Sequence, residues 1–197
     1  HHAVDENWCL IHCTQMTDDE TARLAQTGAV AGLCPITESS LGDGIFNGVV
    51  YLDAGGRFGI GSDSNIRIAL SEELRTLEYS QRLRHRQRAI LATETCSTGR
   101  VLFNGAIKGG AQAAQRQSDA ISEGNWADLM ALDSSAIDLE GRKGDAVLDS
   151  FIFAGDDRMI RDVWSAGRHL VKEGRHLHRD AIAARYRQTM ASLRDRI

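Results

Sequence analysis

Arg57-Phe58-Gly59-Ile60-Gly61-Ser62-Asp63-Ser64-Asn65 is a short apolar strand that delivers one aspartate and two hydroxyls into a turn. Gly55-Gly56 punctuate the chain before it, Phe58 and Ile60 fill the apolar positions, and Gly59 and Gly61 permit close backbone approach. Asp63 falls where strand gives way to loop. In α/β barrels the chemistry sits at the C-terminal ends of the strands, so an acid there is a candidate ligand or base. Gly-Ser-Asp-Ser is also the composition of an ordinary polar turn, and taken alone the stretch favours that reading.

A second segment shifts the balance. Trp8-Cys9-Leu10-Ile11-His12 is another brief apolar run, ending in a residue fit for acid, base or ligand work. Asp18, Asp19 and Glu20 then place negative charge in the first turn of a helix reaching Gln26, with Thr17 as its N-cap. A histidine beside an apolar run is commonly a hydrogen-bonded structural residue, but one at a strand-to-helix junction is better placed for function. Residues 28–35 read as a third strand. The order strand, helix, strand, loop, strand, helix argues parallel strands joined by crossovers, an α/β architecture. Residues 37–53 read as a long polar connection with three glycines, as around many active sites.

His12, Gly42-Asp43-Gly44-Ile45-Phe46, the run from Gly55 to Ser64 and Glu72-Glu73-Leu74-Arg75 together resemble the formimidoylglutamate deiminases, metal-dependent members of the amidohydrolase superfamily. Residues 121–133 and 163–174 look like the closing β-strands of many such enzymes and specify the superfamily only. The resemblance implies the C-terminal part of a TIM-like (β/α)8 metal-dependent hydrolase barrel, strands six to eight, plus closing strands of a small β-sandwich domain. The implied boundaries are 1–117 for the barrel part, 118–176 for the small composite domain and 177–197 for a C-terminal helix.

The same resemblance implies roles for single residues. His12, ending strand six, would contact the metal's water or the transition state, and Asp63, ending strand eight, would ligate the metal and accept a proton. Ser64 is a weaker candidate for substrate contact. Related enzymes often carry a histidine where this chain has Gln15, which can orient a partner but cannot titrate. The family's His-x-His pair from strand one, its strand-five histidine and its catalytic glutamate have no counterpart here. His176-Leu177-His178 reads as a solvated face, and His1-His2 as terminal or tag residues.

The implied reaction is hydrolytic deamination of N-formimidoyl-L-glutamate to N-formyl-L-glutamate and ammonia, in histidine degradation, with one divalent metal, Zn²⁺. The expected partners are the small-molecule substrate, a missing N-terminal part bearing the other ligands, and a second copy in a homodimer. Two rivals stand beside this: another amidohydrolase deaminase acting on a purine or amidine, and a non-catalytic partial barrel serving as an interaction module. The loop at 41–46 favours formimidoylglutamate over the first. The second draws on the few metal ligands present, since a tight zinc site usually needs three or four protein ligands.

Length points the same way. A complete eight-stranded barrel takes about 250 residues, whereas this chain has 197. Three strands would leave two open edges, so the isolated chain is expected to be inactive. Composition is that of an ordinary soluble globular chain, with 25% charged residues, 42% hydrophobic residues and a net charge of −4. That balance argues against an extended nucleic-acid surface. The basic run from Arg82 to Arg88 follows Leu74, Leu77 and Tyr79 at helical spacing and reads as a solvated face. Cysteines 9, 13, 34 and 96 lack the paired spacing of a zinc site. No run is long and apolar enough for a membrane span, and the cytoplasm is the expected compartment. Elsewhere the patterns predict helices over 71–92, 93–103 (opened by Thr93 or Thr95) and 180–196. They also predict a small-residue connection over 105–117 and strands over 127–133, 146–154 and 162–171.

Overall fold

Val30-Ala31-Gly32-Leu33 is apolar without interruption because it forms β2 (Val30–Leu33), a central strand buried at every position. The computed structural model, which describes residues 3–194 and 196, pairs it in parallel with β1 (Cys9–Ile11) on one side and β3 (Arg57–Ile60) on the other. The register sets Ile11 opposite Gly32 and Leu33 opposite Ile60, so the C-terminal ends of all three strands come level. His1 and His2 lie outside the described residues.

The crossover between β1 and β2 is α1 (Asp18–Gln26), opened as expected by a capping box between Thr17 and Glu20. The segment at 37–53, expected as a loop, instead holds two short helices, α2 (Pro35–Leu41) and α3 (Gly48–Asp53). Pro35 pre-sets the first turn of α2, and Gly42, at φ 74°, stops it. Behind α3, the Tyr51 hydroxyl lies 2.9 Å from the carbonyls of both Ala29 and Arg57, tying β2 to β3.

Two long helices follow, α4 (Leu70–His85) and α5 (Thr98–Ala113). The first ends seven residues earlier than the expected Ala92, with Arg86 left-handed at φ 55°. The buried Glu78 carboxylate accepts the amides of Ile90 at 3.0 Å and Leu91 at 3.2 Å, holding the returning chain. Helix α5 replaces both the helix expected at 93–103 and the connection at 105–117, and its N-cap is Ser97 rather than Thr93 or Thr95. Its glycines each cost a helix about 1 kcal/mol in propensity. Packing overrides that cost: a Cβ on Gly109 would lie 1.9 Å from the Phe58 carbonyl oxygen, and one on Gly105 2.3 Å from the Phe58 ring. The helix therefore rests on β3 at a separation that only glycine permits.

A second, antiparallel sheet runs in the order β4 (Leu129–Leu132), β5 (Ile160–Ser165), β6 (Arg168–Lys172) and β7 (Arg175–His176). The strand expected at 162–171 is thus a hairpin, turned at Ala166-Gly167, both with positive φ. The strand expected at 146–154 is helical, α6 (Asp145–Asp149) followed by a π-turn through Ala154. Its acids explain the difference. Asp145 and Asp149 accept the amides of Ser97 at 3.1 Å and Gly99 at 2.8 Å, and Asp157 accepts those of Leu70 and Ser71 at 2.8 and 2.9 Å. This segment caps α4 and α5 from a distance and sends Phe151 and Ile152 into the core beside Leu24, Leu33 and Phe58. The chain closes with α7 (Arg179–Arg194). Among the described residues no helix is long and apolar enough to cross a membrane.

Candidate active site

The ends of β1 and β3 deliver the two residues singled out by the sequence. The His12 amide donates to the Gly32 carbonyl at 2.8 Å, extending the ladder by one step, and the Gly61 amide donates to Leu33 at 3.0 Å. The chain then turns sharply: His12 and Cys13 take φ of 67° and 54°, and Asp63 takes 51°. Left-handed backbone costs a non-glycine residue about 1 kcal/mol or more and persists where surroundings hold it. Here it turns both side chains toward one another, with His12 Nε2 3.6 Å from Asp63 Oδ2.

Two further residues meet them. Among the described residues, His12, Cys34 and Asp63 form a cluster whose donor atoms all lie within 4.8 Å of one another. Glu38, from the first turn of α2, places Oε1 3.3 Å from His12 Nδ1 and accepts the Cys34 amide on the same oxygen at 2.8 Å. The side chains of His12 and Asp63 are about one third exposed, at 33% and 37%, while that of Glu38 is 6% exposed. The site is therefore open to a solute on one side and dry behind. Burial raises the Glu38 carboxyl above the ordinary range, opposed by the Cys34 amide and by His12. Burial also pushes the Cys34 thiol up to about 11, helped by the negative charges of Glu38 and Asp63.

Polar contacts fix the rim. Thr14 Oγ1 donates to the Asp43 carbonyl at 2.8 Å, and the Gln15 amide donates to the same oxygen, joining the loop after β1 to the one after α2. Asn47 Nδ2 donates to Met16 at 2.8 Å and to Thr21 Oγ1 at 3.0 Å, buttressing that junction. Ser64 follows Asp63 on the exposed loop. His176 and His178 set their ring centroids 5.7 Å apart with the planes tilted at 59°.

Sequence reading singled out His12 and Asp63, which the structure brings together, and passed over Cys34 and Glu38 beside them. The rule that raised Asp63 applies to Cys34, which directly follows β2, but spacing alone disguised it among the other cysteines. Glu38 gave no local signal, because its place depends on the helical turn after Pro35. A nitrogen, a thiol and a carboxylate oxygen form a donor set suited to zinc. Three donors leave a closed zinc shell incomplete, so it needs donors beyond these residues.

The profile of the amidohydrolase family matches residues 1–170. Formimidoylglutamate deiminase of Pseudomonas aeruginosa is 45% identical over 194 residues, covering 98% of this chain and 43% of the deiminase. A 5-methylthioadenosine/S-adenosylhomocysteine deaminase of Bacillus cereus is 30% identical over 169 residues, 84% of this chain and 37% of its own length. Among solved structures, an amidohydrolase from Brucella melitensis superposes with a TM-score of 0.92 at 48% identity, over 98% of this chain and 42% of that one. A zinc-bound adenosine deaminase from Xanthomonas campestris shares the fold, with a TM-score of 0.84 at 24% identity over 98% of this chain and 44% of that one. This chain therefore spans less than half the length of these relatives. Mixed α/β with a parallel sheet, matched to that family over most of its length, the chain belongs to the amidohydrolase family.

Proposed function

We propose that the protein carrying this chain hydrolyses N-formimidoyl-L-glutamate to N-formyl-L-glutamate and ammonia, within histidine degradation in the cytoplasm. The observation that carries this reading is the 45% identity to a formimidoylglutamate deiminase over nearly the whole chain, against 30% to the purine-compound deaminase. In this reading β1, β2 and β3 are strands six to eight of a (β/α)8 barrel. Residues 118–176 contribute to a small composite domain, 177–197 form a terminal helix, and the remaining donors come from the rest of the protein.

A divalent cation, zinc in the Xanthomonas campestris structure, would supply Lewis acidity that brings a water's deprotonation toward neutral pH. Asp63 would hold that cation with one carboxylate oxygen and take a proton on the other, a division of labour open to a carboxylate. His12 Nε2, on the side of the ring that faces Asp63, would accept a hydrogen bond from the attacking water and so support the tetrahedral centre that forms at the amidine carbon. Water adds to the C=N bond, the terminal nitrogen leaves as ammonia once protonated, and a formyl group remains. Ser64 would contact the substrate from the loop.

Parallel assays of ammonia release by the full-length, zinc-supplied protein test this. Turnover of N-formimidoyl-L-glutamate well above that of 5-methylthioadenosine is expected. Preference for the purine compound, or turnover of neither, would overturn the substrate.

A further inference from the structure

Glu38 stands outside the roles described so far, yet it is the buried acid nearest the reacting groups. It comes from α2, in the first turn after the central strand β2, and so sits behind the gap between the ends of β1 and β3. Its Oε1 accepts the Cys34 amide at 2.8 Å and faces His12 Nδ1 at 3.3 Å. The opposite ring nitrogen, Nε2, faces Asp63 Oδ2 at 3.6 Å. An ionised carboxylate only accepts, on either oxygen, so with Glu38 charged the hydrogen between it and His12 sits on Nδ1.

We propose that Glu38 is a positioning residue, whose buried carboxylate fixes His12 in the Nδ1–H tautomer and reserves Nε2 for the reacting centre. The inference rests on the function proposed above for its consequence in turnover, and on geometry alone for the state of the ring. A neutral imidazole has one donor and one acceptor nitrogen, and the partner of one decides the role of the other. Held this way, His12 presents an unprotonated Nε2 to the open mouth of the site; at 3.6 Å that nitrogen makes no hydrogen bond to Asp63 Oδ2 that would require a hydrogen on it. Glu38 also offsets positive charge if the ring gains a proton during the reaction. A purely structural Glu38, capping the Cys34 amide alone, would serve the fold and leave the ring free to choose.

The test uses the full-length, zinc-loaded protein labelled with ¹⁵N-histidine, at a pH where the ring is neutral. Long-range ¹H–¹⁵N correlation reports the His12 tautomer, and kcat and KM are measured in parallel. Wild type should show Nδ1–H. Glu38→Ala should move the ring toward Nε2–H and lower kcat by about 10–100-fold, the usual cost of losing an orienting partner, with KM little changed. Glu38→Gln keeps an oxygen for both N–H groups, since the Cys34 amide demands it, and should retain Nδ1–H with an intermediate kcat. Nε2–H in the wild type would overturn the proposal even if Glu38→Ala fails to fold. An unchanged tautomer or an unchanged kcat in Glu38→Ala would also overturn it. A tautomer that responds to Glu38 in a wild type that leaves formimidoylglutamate untouched would sink the proposed substrate while upholding the positioning of the ring.

Discussion

Replacing Gly109 by alanine should damage the protein, while the same change one residue later should help it. A Cβ at position 109 would sit 1.9 Å from the Phe58 carbonyl oxygen and 2.3 Å from its carbon, whereas one at 110 meets nothing within 4 Å. Real Cβ atoms essentially never approach closer than 3.0 Å, so α5 would have to retreat from β3 by 3.0 − 1.9 = 1.1 Å at that point. The obstacle is backbone and cannot rotate aside. Overpacking typically costs 1–3 kcal/mol, and the retreat would also loosen Phe58 and Leu102, both buried. Alanine returns up to about 1 kcal/mol of helix propensity. The balance for Gly109→Ala is a loss of about 1–2 kcal/mol, the upper end including the loosened neighbours, and for Gly110→Ala a gain of about 0.5–1 kcal/mol. Urea unfolding of the full-length variants should move the midpoint in opposite directions with unchanged slope. Equal midpoints for the two variants, or a Gly109→Ala protein as stable as wild type, would refute the close contact between α5 and β3.

Two further outcomes follow from acids that accept backbone amides. Glu73 is buried, accepts the Ile36 amide at 2.8 Å on one oxygen and leaves the other without a partner among the described residues, and burial raises its carboxyl to about 7. A carboxyl raised on folding contributes stability in full below its unfolded value, near 4.5, and loses it as pH climbs through about 7. Wild type should weaken between pH 5 and 8 by up to about 3 kcal/mol through this group, and Glu73→Gln should flatten that slope; parallel slopes would contradict it. Asp157→Ala should cost about 1–2 kcal/mol in the urea midpoint by uncapping the amides of Leu70 and Ser71, and a neutral result would deny the long-range cap.

Elements with local signals were legible in the sequence. The acids after Thr17 and the apolar run at 30–33 announced α1 and β2, because capping and double-sided burial leave their mark within a few residues. Helix α5 was hidden since its glycines argue against a helix until β3 is known to lie against them. Residues 145–154 read as a strand because the amides that Asp145 and Asp149 cap belong to α5, more than forty residues earlier. The site divides in the same way. His12 and Asp63 were visible from strand-end position, whereas Cys34 and Glu38 owe their place to parallel register and to burial behind β2.

The most direct test of the account is zinc content and ammonia release from N-formimidoyl-L-glutamate, measured together on full-length wild type and Asp63→Asn. Asparagine tolerates the left-handed backbone that Asp63 adopts at φ 51°, so the variant should fold. The account predicts that it loses bound zinc and that turnover falls by orders of magnitude. Zinc retained with near-normal ammonia release would contradict the role given to Asp63 and, with it, the proposed centre.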